Sequence, residues 1–83
     1  MRISIHGHAQ GRMLERGAKI AEIKETVRTG IQAPAKFGRT RFRKIFHFGG
    51  IWKGRYHARK QIDAISARIR DGWLVLTVIV KYF

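Results

Sequence analysis

Gln61-Ile62-Asp63-Ala64-Ile65-Ser66-Ala67-Arg68-Ile69-Arg70 leads through Asp71-Gly72 into Trp73-Leu74-Val75-Leu76-Thr77-Val78-Ile79-Val80. Whether the first ten residues are helix or strand decides the fold. Ile62, Ile65 and Ile69 have helical spacing, and Ala64 and Ala67 favour helix. The second run is almost wholly apolar and rich in β-branched residues, as in a central strand buried on both faces. Asp71-Gly72 is a strong tight-turn signal, and a hairpin across it gives the apolar strand a partner. Strand is therefore the preferred assignment for Gln61 to Arg70, with helix as its competitor. A bulge absorbs the change of parity between Ile62 and Ile65.

Working back towards the N-terminus, Thr40 to Phe48 alternates. Phe42, Phe46 and Phe48 share a face with Thr40 and Lys44, while Arg41, Arg43, Ile45 and His47 take the other. Lys44 is out of place among phenylalanines: either its ammonium snorkels from the core edge or it enters a site. Gly49-Gly50-Ile51-Trp52-Lys53-Gly54 reads as a glycine-rich loop matching no complete phosphate-binding fingerprint. Trp52 either stacks a base in a basic setting or covers a core edge. Ile31 to Gly38, with the only proline, reads as a connector. Ala18 to Thr29 is the clearest helix, since Ile20, Ile23 and Val27 form one apolar stripe and Gly30 ends it. Its N-terminus offers no side-chain acceptor at Gly17 or Ala18. A shorter helix runs from His8 to Arg16, with Gly17 closing it. Arg2 to His6 alternates as a short edge strand. The expected class is α+β: two N-terminal helices on one face of a four-stranded, mainly antiparallel sheet, in a single domain spanning residues 1–83.

Charge is the strongest compositional feature. Eighteen Lys and Arg stand against five Asp and Glu, a formal net charge of +13. No acid lies between Glu25 and Asp63, a stretch holding ten Lys and Arg. One basic surface and a polyanionic partner follow, with nucleic acid the leading candidate. An anionic membrane surface is disfavoured, because no long basic amphipathic helix is present. The absence of cysteine removes disulfides, thiolate chemistry and cysteine zinc sites. With no apolar leader after Met1, a cytoplasmic location is expected, for a free-standing chain or for a domain delivered within a secreted effector.

Metal chemistry is disfavoured: His6-Gly7-His8 places two imidazoles together, but the positive field opposes a divalent cation. Neither serine sits in a nucleophile elbow. Metal-free phosphodiester cleavage fits the inventory better. RNA brings its own 2′-hydroxyl nucleophile, and the protein supplies proton transfer and cations for the developing charge. His8, Arg12 and Arg16 share a helix face, so His8 can move the proton while Arg12, Arg16, Lys44 or Lys60 holds phosphate. Thr77 is either β-branched filler or a hydroxyl presented to a phosphate.

His8-Ala9, Arg12-Met13 and Arg16-Gly17, followed by a helix and a sheet ending in Val75-Leu76-Thr77-Val78, resemble the bacterial domain of unknown function 4258. That family is thought to belong with RelE-like, barnase-like and colicin-D-like nuclease toxins. The resemblance implies a two-helix, four-stranded toxin-type fold and RNA cleavage without metal or cofactor. By position it implies catalytic roles for His8, Arg12, Lys60 and Thr77, and it implies an acidic antitoxin or immunity protein as partner. Gly11 inside the first helix and Ala18-Lys19 after Gly17 depart from the family pattern. RNA-binding residues expected alongside are Arg16, Arg41, Arg43, Lys44, Trp52, Lys53, Arg55 and Arg59. Two non-catalytic alternatives stand beside the endoribonuclease: an RNA- or DNA-binding module, and a basic protein-interaction module.

Overall fold

The computed structural model describes residues 1–83. The elements are β1 (Arg2–Ile5), α1 (Gly7–Glu15), α2 (Ile20–Thr29), β2 (Ile31–Pro34), β3 (Thr40–Trp52), β4 (Arg55–Ile69) and β5 (Gly72–Tyr82). The strands form one sheet in the order β1-β5-β4-β3-β2. β1 runs parallel to β5, and every other pairing is antiparallel.

The α+β class and the strand assignment for Gln61 to Arg70 agree with the sequence expectation; the strand count does not. Ile31–Pro34, expected as a connector, is an edge strand on β3. Proline is tolerated there because its missing N–H costs nothing on the open side of an edge. The sheet therefore has five strands and is mixed. The expected glycine-rich loop is instead the end of a long hairpin. Trp52 pairs with Arg55, and Lys53 and Gly54 form the turn with φ of 49° and 80°, the positive pair a tight two-residue hairpin turn needs. A bulge at Phe48 and Gly49, where Gly49 has φ 59°, lets the chain continue through the glycines as strand. Thirteen residues of β3 and fifteen of β4, at about 3.3 Å each, account for the molecule's 41 Å long axis.

The irregularity expected within residues 61–70 sits opposite them. Ile65 pairs with Thr77 and Ser66 with Val75, so the extra residue is Leu76 in β5. The parity change in β4 needs no bulge, because Ile62 and Ile65 simply face opposite sides. Gly72 has a second role beyond the turn. A Cβ there would lie 1.7 Å from the Arg2 carbonyl oxygen, so only glycine lets β1 lie against β5.

Aligned cross-strand partners share a face. Phe42, Ala64 and Val78 form one such row, and Phe46, Lys60 and Tyr82 another. Both helices cover this side: Ala9 and Met13 of α1, Ala18, and Ile23 and Val27 of α2 join Phe42, Ile62, Ala64, Val75 and Val78 in the buried core. Gly17, with φ 73°, closes α1, and the Ala18 N–H donates back to the Met13 carbonyl. The N-terminus of α2, which lacks a conventional cap, is closed by Glu22, whose carboxylate accepts the Lys19 N–H at 2.9 Å. Neither helix is long and apolar enough to cross a membrane.

Candidate nucleic-acid interface

Each of the five carboxylate side chains lies within 4 Å of one cation: Asp71 with Arg2, Glu15 with Arg12, Asp63 with Arg43, Glu25 with Lys44 and Glu22 with Lys60. Thirteen of the eighteen Lys and Arg side chains therefore have no carboxylate partner.

On the helix-covered face Lys60, Lys44 and Arg16 are held. Lys60 is 3% exposed. Its ammonium donates to the Gly17 carbonyl at 3.0 Å and to Glu22 Oε1 at 2.8 Å. It also lies 5.4 Å from the centre of the Phe48 ring and 5.8 Å from that of Tyr82. These contacts fasten the turn between the helices to the sheet, and the ammonium is consumed in doing so. Lys44 donates to Glu25 and Thr29 of α2, which holds the Glu25 carboxyl below its ordinary range. Its ammonium thus leaves the core edge for a carboxylate. Arg16 donates to the Val78 carbonyl at 2.9 Å and anchors α1 to the open edge of β5. Trp52 stacks on Tyr82 with ring centres 4.7 Å apart, and its six-membered ring abuts Gly17. Lys53 lies over the same indole, 5.7 Å from its centre. The indole covers a core edge. Tyr82 donates its hydroxyl to the Arg16 carbonyl at 2.7 Å. Burial first, and then the charge of Glu22, push its pKa up.

No helix packs on the opposite face. Its rows, read across the strands, are Ala33, Arg41, Ile65 and Thr77; then Ile31, Arg43, Asp63 and Ile79; then Ile45, Gln61 and Lys81. His47 and Arg59 follow, and Phe83 exchanges two backbone hydrogen bonds with Arg59. Arg43 is neutralised by a bidentate pair with buried Asp63, both contacts at 2.8 Å, which raises the guanidinium pKa. Arg41, Arg59 and Lys81 have no carboxylate. The face continues onto the hairpin, where Ile51 and Tyr56 are exposed cross-strand partners opposite in facing to Trp52. Lys53 and Arg55 flank the turn.

The four residues expected to be catalytic do not form one constellation. His8 is exposed on α1, and Arg12, one turn on, pairs with Glu15 at 3.6 Å. Lys60 is enclosed beneath the turn that joins the helices. Thr77 projects from the helix-free face, beside Ile65, so the sheet separates it from the helix-covered side. Of the expected RNA-binding residues, Arg41 and Arg59 lie on the open face and Lys53 and Arg55 on the hairpin; Arg16, Lys44 and Trp52 are fixed on the covered side. Sequence reasoning did not select His47, Tyr56 or Lys81. The alternation that places His47 with Arg41 and Arg43, and Lys81 with Thr77 and Ile79, is the signal that finds them.

Two concavities, of about 370 and 260 Å³, lie at the β2 edge. Neither is lined by His8, Arg12, Lys60 or Thr77. No three His, Asp or Glu side chains come together as a metal site. No protein-family model, no curated protein and no solved structure matches the chain.

Proposed function

We propose that the chain binds nucleic acid, with RNA as the ligand, on the helix-free face of its sheet and along the β3–β4 hairpin. The observation that carries this is the sorting of charge. Lys44, Lys60 and Arg16 on the helix-covered side are matched to carboxylates or carbonyls, whereas Arg41, Arg59 and Lys81 on the open face, and Lys53 and Arg55 at the hairpin turn, have no carboxylate. Unmatched cations on one extended surface repel one another, and a polyanion relieves that repulsion. Binding should be strongly salt-dependent, because each neutralised phosphate releases counterions. For about four phosphates on a single strand, the slope of log K against log salt is about −3. Fluorescence anisotropy of a labelled RNA across a salt series measures it. A protein that leaves RNA unbound at low salt overturns the proposal and favours a basic module that docks on an acidic protein.

Metal-independent cleavage is the second possibility, and the exposed imidazole of His8 one turn from Arg12 favours it. The 2′-hydroxyl would attack the adjacent phosphorus as His8 takes its proton, Arg12 would bind the phosphorane oxygens, and the P–O5′ bond would break to leave a 2′,3′-cyclic phosphate and a 5′-hydroxyl protonated by water or by the His8 imidazolium. Incubation with total RNA in EDTA tests it. Cleavage that disappears in His8→Ala, with RNA binding intact, supports a toxin-type ribonuclease. Full-rate cleavage by His8→Ala removes the assignment.

A further inference from the structure

Resting on the nucleic-acid assignment, we infer that the open face takes a single strand rather than a duplex, with bases against Tyr56 and the exposed isoleucines and phosphates against the cations beside them. A surface made only for a phosphate backbone needs cations and polar donors. This one alternates cations with large apolar groups that nothing in the chain covers. Tyr56 is 65% exposed, Ile51 65%, Ile45 52% and Ile79 48%. Apolar groups and cations fall in neighbouring rows. Tyr56 and Ile51 form one cross-strand pair, His47 and Arg59 the next on the far side of the bulge, and Ile45 with Gln61 and Lys81 the row after that.

A duplex keeps its bases stacked inside and offers this face only phosphates and sugars, which leaves the isoleucines and the phenol ring against charged oxygens. A single strand offers both halves: its phosphates pair with the cations, and its unstacked bases cover the apolar rows. Charge complementarity also excludes a second copy of this chain as occupant, since two surfaces of the same sign would meet. The stacking contact assigned to Trp52 from sequence passes to Tyr56, because Tyr82 and Gly17 already occupy the indole.

The test compares three labelled probes by anisotropy at fixed salt: a twelve-nucleotide single-stranded RNA, the same sequence as a duplex, and heparin, a polyanion without bases. The single strand is expected to bind at least tenfold tighter than the duplex. Tyr56→Ala should weaken the single strand about tenfold, within the range of one lost base stack, and leave heparin within twofold. Tyr56→Phe, which keeps the ring, should restore single-strand binding and serves as the folding control. Duplex binding equal to or tighter than single-strand binding overturns the inference while leaving nucleic-acid binding intact. So does a Tyr56→Ala loss shared equally by heparin. Binding of heparin alone, or of no probe, overturns both the inference and the nucleic-acid assignment.

Discussion

Arg59 and Lys60 are adjacent on β4 and face opposite ways. Lys60 is 3% exposed, fixed by a carboxylate, a carbonyl and two aromatic rings. Arg59 is exposed beside His47 and has no carboxylate. Lys44 and Arg41 are both half-buried and differ in partner: Lys44 is held by Glu25 and Thr29, whereas Arg41 has no carboxylate. Composition counts these residues alike, but strand parity turns Lys44 and Lys60 towards the helices and Arg41, Arg59 and Lys81 to the open face. The positive charge is therefore of two kinds, and only one is available to a ligand.

The sharpest way to break that comparison is to truncate the two neighbours separately. Lys60→Ala should cost about 3 kcal/mol, because removing one member of a buried pair strands the other and leaves a cavity. Glu22 retains some solvent access, which sets the cost at the low end of that range. In a domain of this size such a loss lowers Tm by more than about 10 °C. Arg59→Ala should change stability by less than about 0.5 kcal/mol. Urea denaturation of both variants measures the difference. Equal losses would show that parity does not sort the charges.

A smaller effect should appear in binding and not in stability. Arg59→Ala combined with Lys81→Ala should reduce RNA affinity roughly tenfold near physiological salt and make the salt slope shallower by about 1 to 2. The denaturation midpoint should not move. Lys44→Met, which removes one charge from the covered face, should leave the slope unchanged. A slope altered by Lys44→Met as much per charge removed as by the double variant would mean that RNA reads total charge rather than one face.

Much of this was legible from local rules. The period-two pattern through Arg41, Arg43, Ile45 and His47 marked the basic face, and Gly17 marked the end of α1. The Asp71-Gly72 turn settled the strand assignment of residues 61–70 against their helical spacing. What escaped was non-local. Ile31–Pro34 is a strand only because β3 offers it an edge, and four residues carry too little pattern to announce that. Gly49 and Gly50 resemble a loop in isolation, yet a single bulge carries a ladder through them. Lys60 appeared available because the acid nearest in sequence, Asp63, falls on the opposite face of β4 and pairs with Arg43; its partner Glu22 is 38 residues away and arrives with the turn between the helices. Thr77 stood out in an apolar strand, but the extra residue at Leu76 shifts the parity of β5 ahead of it, and no sequence rule locates that insertion.

Tyr82 gives the finest measure of how far the covered face is closed. Its hydroxyl donates to the Arg16 carbonyl, and burial together with the charge of Glu22 favours the neutral phenol. A group whose pKa is raised by folding contributes stability that is fully present below its unfolded value and is lost as the pH rises through the folded one. For a tyrosine that loss begins near pH 10. Tyr82→Phe should be less stable at pH 7 by about 1 kcal/mol, the value of one hydrogen bond. Because phenylalanine does not ionise, the gap between the variant and the parent should narrow as the pH passes 10, while the lysine titrations common to both cancel in the difference. Denaturant midpoints at pH 7, 9 and 11 follow it. A gap that stays constant would mean that the phenol ionises as easily folded as unfolded, and that water reaches the cluster of Tyr82, Lys60 and Glu22 as freely as it reaches Arg59 on the other side of the sheet.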